Sequence, residues 1–574
     1  MAGTPGGPRS PLLEDTVDGS IDHKGRPAKR PTSGGWRSAY FIMGAEVAGR
    51  FAYFGIQSNL INFLTDRLGQ SVPSAAESVN TWTGTGSLMP LVGAFVADSY
   101  IGRYATIIIA SLLYILGLGL LTLSAVLPVP SHSDCQKSNK TIPCSPPQLQ
   151  MIFFFFSLYL VAVGLGGHKP CIQAFGADQF DGRNPVECIA KSSFFNWWIF
   201  GVFSVTIVTQ SVLSYIQDNL NWGLGFGIPC IGMILGLLLF LLGTRTYRYS
   251  VKGHERGPFM RIGQVFIAAA KNWLATPSSI ATEDLAGGTL QQQDSQHFKF
   301  LNKALLAQDD SKGNGRQCTI DDFEEAKAVL RLFPIGATCL AYAIVYAIVY
   351  AQSSTFFTKQ GFTMDRSIGS GFDIPAASLQ AFIGLSIVLI IPIYDRIFVP
   401  IARTLTRKPS GITMLQRIGT GMFLSGISMV IAALVEMKRL KTAQEHSLVD
   451  VPNATLPMKV WWLLPQYILF GITDVFTVVG LQEFFYDQVP TELRSVGLAL
   501  CHCIFGVGSF LSSFLISGIE KATGGDGQHS WFNNNVNRAH LDYYYWVLAG
   551  LSAVGLSLYL YFARSYIYNR GRAL

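Results

Sequence analysis

Long apolar runs alternate with polar connections along almost the whole chain. Twelve runs can be drawn. Six lie near 37–65, 78–97, 105–128, 149–172, 194–216 and 223–243, and six near 332–356, 376–400, 412–435, 461–484, 494–517 and 543–564. About 20 apolar residues suffice for a helix to cross a bilayer. The pattern therefore predicts an all-α membrane protein with twelve transmembrane helices in two six-helix bundles. Residues 1–35 are polar and rich in Pro and Gly, and read as a disordered cytoplasmic tail. The N-terminal bundle is expected over 36–243, a cytoplasmic linker over 244–331, the C-terminal bundle over 332–566 and a short cytoplasmic tail over 567–574. Within the linker, Ile262, Val265, Phe266, Ala269, Ala270 and Trp273 fall at helical spacing, which predicts an amphipathic helix. Transporters built from two such halves bind solutes near the bilayer midplane, where the halves meet.

Composition agrees. Only 14% of the 574 residues are charged, against about 25% in an average soluble chain. The net charge of +7 is therefore a topology signal rather than a sign of nucleic-acid binding. Lys24, Arg26, Lys29 and Arg30, the linker, Arg403, Arg407 and Lys408, and Arg564, Arg570 and Arg572 fall on one side of a twelve-span chain. That side should be cytoplasmic, with both termini on it. Lys438, Arg439 and Lys441 fall on the other side, against the rule. Asn139 and Asn453 open glycosylation triplets, and both land outside. Cys135 and Cys144 flank an external loop, where they either pair or stay free thiols. No Cys/His spacing matches a metal site.

Charges inside the apolar runs carry the chemistry. Glu46 and Arg50 lie four apart in the first span, on one helical face and within pairing reach. A charge at bilayer depth costs at least ~2.5–3.5 kcal/mol, so it normally faces a partner or a polar cavity. Lys169, in Gly166-Gly167-His168-Lys169-Pro170, is a further intramembrane charge with Glu46 as its natural partner. His168 reads as a packed helix residue, although it titrates in a useful range. The spacing from Gly93 through Asp98 to Gly102-Arg103 resembles the signature loop of the major facilitator superfamily, which implies that Asp98 and Arg103 gate the cytoplasmic side.

Together with Phe175-Gly176-Ala177-Asp178-Gln179-Phe180-Asp181 and Phe194-Phe195-Asn196-Trp197-Trp198, these stretches resemble the proton-dependent oligopeptide transporter family, in its plant nitrate/peptide branch. The resemblance runs from Trp36 to the last span. It implies a secondary transporter working by alternating access, with protons as coupling ion and no other cofactor. Glu46, Arg50 and Lys169 match the family's coupling residues, and Asp474 matches its acid in span ten. Gly49 departs from the pattern, because the family carries a second glutamate there. The formal charge of the group becomes +1 instead of 0, which favours an anionic solute and puts coupling through Glu46 alone in question.

Substrate contacts are expected from Arg50, Tyr53, Lys169, Tyr350 and Asp474, with Trp197 as a further cavity aromatic. Tyr350 takes the place of a histidine found in the nitrate-carrying type. A phenol donates a hydrogen bond but does not become cationic. The solute is thus a small anion or zwitterion: nitrate, a short peptide, a hormone or a specialised metabolite. The alternative is an uncoupled uniporter, channel or sensor on the same fold. Thr106 matches a phosphorylated threonine of a relative, which makes a kinase a candidate partner. Membrane lipid is the other partner, in the plasma or vacuolar membrane. No phosphate loop, metalloprotease helix or serine-hydrolase elbow is present, which argues against an enzyme. The oligomeric state is not legible.

Overall fold

The computed structural model describes residues 16–127, 148–181, 184–250, 263–267, 270, 326, 345–369, 371–406, 412–451, 454–488, 494–524 and 530–565. Every expected span is helical in its described part. The helices are α1 Gly35–Gln57, α2 Val72–Val96, α3 Arg103–Val126, α4 Gln148–Ala177, α5 Pro185–Val208 and α6 Trp222–Leu242. In the second half, α7 covers 345–362 with a 3-10 turn at Ala351–Ser354. It is followed by α8 Ala381–Ile393, α9 Met414–Glu445, α10 Leu464–Gln488, α11 Arg494–Thr523 and α12 Leu541–Ser565. Starts follow local chemistry. Ser71 caps α2, Asn184 caps α5 ahead of Pro185, and Thr413 with Gln416 forms a capping box on α9. Among the described residues, eight helices are long and apolar enough to cross a membrane. The helix carrying Glu46 and Arg50 is not among them, since those two charges lower its mean hydropathy.

Two compact units emerge. The first holds Met1–Val251, Tyr342–Leu481 and His502–Leu574, and the second Lys252–Ala341 with Gln482–Cys501. Of the amphipathic segment expected in the linker, 263–267 is helical in the second unit; its remaining residues, 270 apart, lie outside the described residues.

In the first unit α3 packs on α4, α4 on α2, α6 on α1 and α3, and α9 on α12. The two halves touch where α5 meets α8 and where α2 crosses α11. At the second crossing the backbones nearly meet. A Cβ on Gly84 would lie 3.0 Å from the Gly506 carbonyl, and the converse holds for Gly506. Toward one end, Asn80 Nδ2 donates to Ser512 Oγ at 3.1 Å and Gln380 Nε2 to the Ser58 carbonyl at 2.9 Å. There too the Lys359 ammonium lies 3.1 Å from Asp66 Oδ1. A π-helical turn follows α2 at Ala97–Ile101 and α8 at Tyr394–Phe398, the same place in each half.

Three expectations change. The tail is ordered from Thr16: β1 Thr16–Ile21 pairs antiparallel with β2 Pro27–Lys29 and with β3 Tyr249–Ser250. Its turn is held by the Asp22 carboxylate, which accepts from the amides of Lys24 and Arg26. A polar, Gly-rich composition hid this hairpin, which β3 extends to three strands. Secondly, Arg439 is fully buried and donates to both Glu436 oxygens at 2.7 Å, and Lys438 lies 3.3 Å from the Trp462 ring centre. Neither is a free loop charge of the kind the orientation rule counts. Thirdly, short strands lie past α7: β4 Met364–Asp365 pairs parallel with β7 Leu456–Lys459, and β5 Ser367–Ile368 with β6 Phe372–Asp373.

Candidate functional site

Glu46 sits on α1 with 2% exposure, and Arg50 Nε donates to its Oε1 at 2.6 Å. The pair forms because one turn of helix brings i and i+4 together. A further turn on, Tyr53 stacks on Trp82 of α2, ring centres 5.5 Å apart. Tyr53 is within electrostatic reach of Arg50 on one side and of Tyr350 on the other. Tyr350 stands on α7, its ring 6.1 Å from both Tyr346 and Phe470 and 6.3 Å from Phe505. Tyr346, one turn earlier, donates its hydroxyl to the carboxylate of Asp474 on α10. Glu46, Arg50, Tyr53, Tyr350 and Asp474 thus form a series in which each lies within electrostatic reach of the next, drawn from both halves of the chain.

Lys169 is half-buried on α4, one residue past His168 and one before the internal Pro170. Glu46, expected to face it, is engaged by Arg50. His168 is 1% exposed, and its imidazole lies over Gly49. A Cβ built on Gly49 would come within 2.8 Å of His168 Cε1 and 3.2 Å of Nδ1. The departure at position 49 therefore has a steric counterpart on α4. Trp197, expected in the cavity, is 55% exposed, and its ring contacts Phe200. It is not buried with the other aromatics.

The POT family profile matches residues 104–532. The chain belongs to the POT family. "Protein NRT1/PTR family 5.10" of Arabidopsis thaliana is 62% identical over 98% of this chain and 97% of its own length. "Protein NRT1/PTR family 5.16" of the same plant is 54% identical over 97% and 98%. Among solved structures, an auto-inhibited POT family peptide transporter aligns with a TM-score of 0.66 at 21% identity, covering 94% of this chain and 99% of that one. The POT family transporter PepTSo aligns at 0.65 and 18%, covering 92% and 98%. These structures share the fold, a twelve-helix bundle of the major facilitator type. The protein is accordingly an integral multi-pass membrane transporter and not an enzyme.

In this POT-family chain the residues quoted for gating belong to a wider network. Arg103 reaches Asp98 at 3.4 Å and Asp178 at 2.6 Å. Asp178 was legible as part of the Phe175–Asp181 signature but its role was not. The same signature supplies Gln179, whose side chain bonds both the amide and the carbonyl of Arg248, and Asp181, paired with Arg30 at 2.7 Å. Arg248, 2% exposed, reaches Glu187 at 2.7 Å. The signature thus fastens the tail sheet to the ends of α4 and α6.

Thr106 is 5% exposed and donates to the Gly102 carbonyl at 2.8 Å. Asn139, Asn453, Cys135 and Cys144 lie outside the described residues. Among the described residues no His, Cys, Asp and Glu group could hold a metal ion.

Proposed function

We propose that this transporter moves a small anionic or zwitterionic solute by alternating access, with proton coupling through Glu46. The series from Glu46 to Asp474 is the observation that supports this reading. It offers the Arg50 guanidinium for a carboxylate or nitrate and Asp474 for an amine, with Lys169 on α4 as a further cation. Its aromatic members, Tyr53 and Tyr350, suit a mostly apolar pocket with a few oriented polar groups. Glu46 engages Arg50 at 2.6 Å. A proton on Glu46 removes the charge that holds the guanidinium and frees Arg50 for an anion, while loss of the proton restores the pair and expels the solute. Proton and anion then favour each other's binding, as linkage requires.

The contacts between halves at Lys359, Gln380 and Ser512 lie on the side expected to be extracellular, which supports an outward-closed state. Gly49 favours a second reading, an uncoupled facilitator on the same fold. Uptake in oocytes, comparing nitrate, dipeptides and acidic hormones at two pH values, tests the first reading, followed by counterflow in proteoliposomes. Saturable, acid-stimulated uptake with counterflow is expected. Flux without counterflow would replace the carrier by a channel, and uptake indifferent to pH would leave the facilitator.

A further inference from the structure

We propose that His168 is a second proton-binding group of the coupling site, occupying the place from which the side chain at position 49 is missing. The inference rests on the proton-coupled reading given above and identifies where the coupling charge resides.

Three observations carry it. The first is steric. The imidazole fills the volume that a side chain on Gly49 would take, with Cε1 2.8 Å and Nδ1 3.2 Å from an ideal Cβ there. A residue on α4 has replaced a residue on α1 at one point in space. The second is the state of the ring. His168 is 1% exposed, and its Nε2 is buried without a hydrogen-bond partner among the described residues. Buried polar nitrogens are almost always satisfied, and each exception asks for a reason. An Nε2 that gains a proton, and then a water or solute acceptor, in another step of the cycle is such a reason.

The third is the company the ring keeps. Glu46 and Arg50 act on it from α1. Tyr114 faces it from α3, ring centres 6.5 Å apart, with its hydroxyl donating to the Gly49 carbonyl at 3.2 Å. Lys169 follows on its own helix, while α2 brings Met89 and Gly93 against the adjoining turn. The ring therefore sits in the same charged cluster as the Glu46–Arg50 pair.

Imidazole differs from a carboxylate by one unit of charge in both protonation states. With neutral His168 the formal sum of Glu46, Arg50 and Lys169 is +1, and one bound proton raises it to +2 whether it rests on Glu46 or on His168. A single proton shared by two sites then calls for an anion to offset it. The proton enters from one aqueous phase, occupies the Nε2 lone pair or the Glu46 carboxyl, and leaves to the other phase. Imidazole is the side chain suited to this exchange near neutral pH.

Nitrogen-15 NMR of labelled histidines in nanodiscs, with His168→Asn for assignment, tests the proposal without any solute. His168 should gain a proton between about pH 3.5 and 7.5, and Glu46→Gln should shift that step. A ring that stays neutral over this range overturns the inference. In oocytes, the ratio of nitrate or dialanine uptake at low and at neutral pH should fall in His168→Asn to about one. An acid-stimulated wild type whose His168→Asn variant keeps the full ratio overturns this inference alone. Titration of His168 in a wild type indifferent to pH overturns the coupling reading and this inference with it. Gly49→Glu should fail through the clash with the ring, and Gly49→Glu with His168→Ala should regain the acid response. Because that pair restores the volume, its recovery separates a coupling role from mere packing.

Discussion

Among the described residues Tyr346 donates its hydroxyl to Asp474, and that contact bears on what the carboxylate can do. A buried acceptor that loses its donor costs ~1–3 kcal/mol. Tyr346→Phe should therefore lower the melting temperature and alter solute affinity, while Asp474→Asn, which keeps a polar group for the hydroxyl, should spare folding and impair uptake of amine-bearing solutes. Thermal melting in detergent and dipeptide uptake check the two arms. Gly34 is a second residue with no latitude. It adopts φ 75°, and a Cβ there would lie 2.1 Å from Arg248 Nε. Gly34→Ala combines a positive-φ extended backbone that only glycine adopts readily, about 1–3 kcal/mol, with displacement of a buried guanidinium, so expression and melting temperature should both drop. At this scale the sequence was legible where charge broke an apolar run, as at Glu46, Arg50, Lys169 and Asp474. It was silent at Tyr346, an aromatic residue in an apolar stretch. At Gly49 it showed the missing side chain but not what fills its place, because those atoms belong to His168, over a hundred residues away.

Elements here are joined by ion pairs of unequal weight. Within α9 the Glu436–Arg439 pair is fully buried and tied to Thr363, Asn537 and the Val536 carbonyl. Removing one member strands the other charge, at about 3–5 kcal/mol, whereas replacing both by apolar residues is often neutral. Arg439→Met should unfold the second half readily, and Glu436→Leu with Arg439→Met should recover most of the melting temperature. The contact between β7 and the segment after α7 is weaker in kind. The Lys459 ammonium, 2.8 Å from Asp365, together with Ser367, holds the Asp365 carboxyl below the usual carboxylate range. A carboxyl with a lowered folded pKa stabilises fully above its unfolded value, near 3.9, and loses that contribution only as pH falls through the folded one. Mildly acidic medium thus leaves this contact intact. Asp365→Asn should accordingly leave the acid stimulation of uptake unchanged, measured as the ratio between pH 5.5 and pH 7.5 at about that of the wild type. The spans were read from the length of their apolar runs. The β1–β3 sheet was not, because two- and three-residue strands carry no period and their pairing joins positions 20 and 250.

On the scale of the whole molecule, alternating access requires that the contacts between halves be strong enough to close and weak enough to open. The α2–α11 crossing meets the first demand by backbone proximity at Gly84 and Gly506, and the second through neutral contacts beside it, Asn80 with Ser512 and Thr81 with Ser513. A charged contact lies at Lys359, whose side chain is 6% exposed while that of Asp66 is 43% exposed. A pair with one wet member is worth little, typically ~0–1 kcal/mol, yet losing Asp66 would leave a buried ammonium opposite solvent. Asp66→Asn should therefore shift the population toward the state open on that side, without unfolding the protein. Gly84→Leu should do the same by a different route, since its side chain has no room between the helices. If both variants act on one equilibrium, a membrane-impermeant thiol reagent should label a cysteine introduced at Ser512 faster in either variant than in the unmodified background. Transport should fall in both, because neither closes fully, and combining them should add little. Independent, additive losses would mean that the two contacts stabilise the halves separately and do not report a common closing motion.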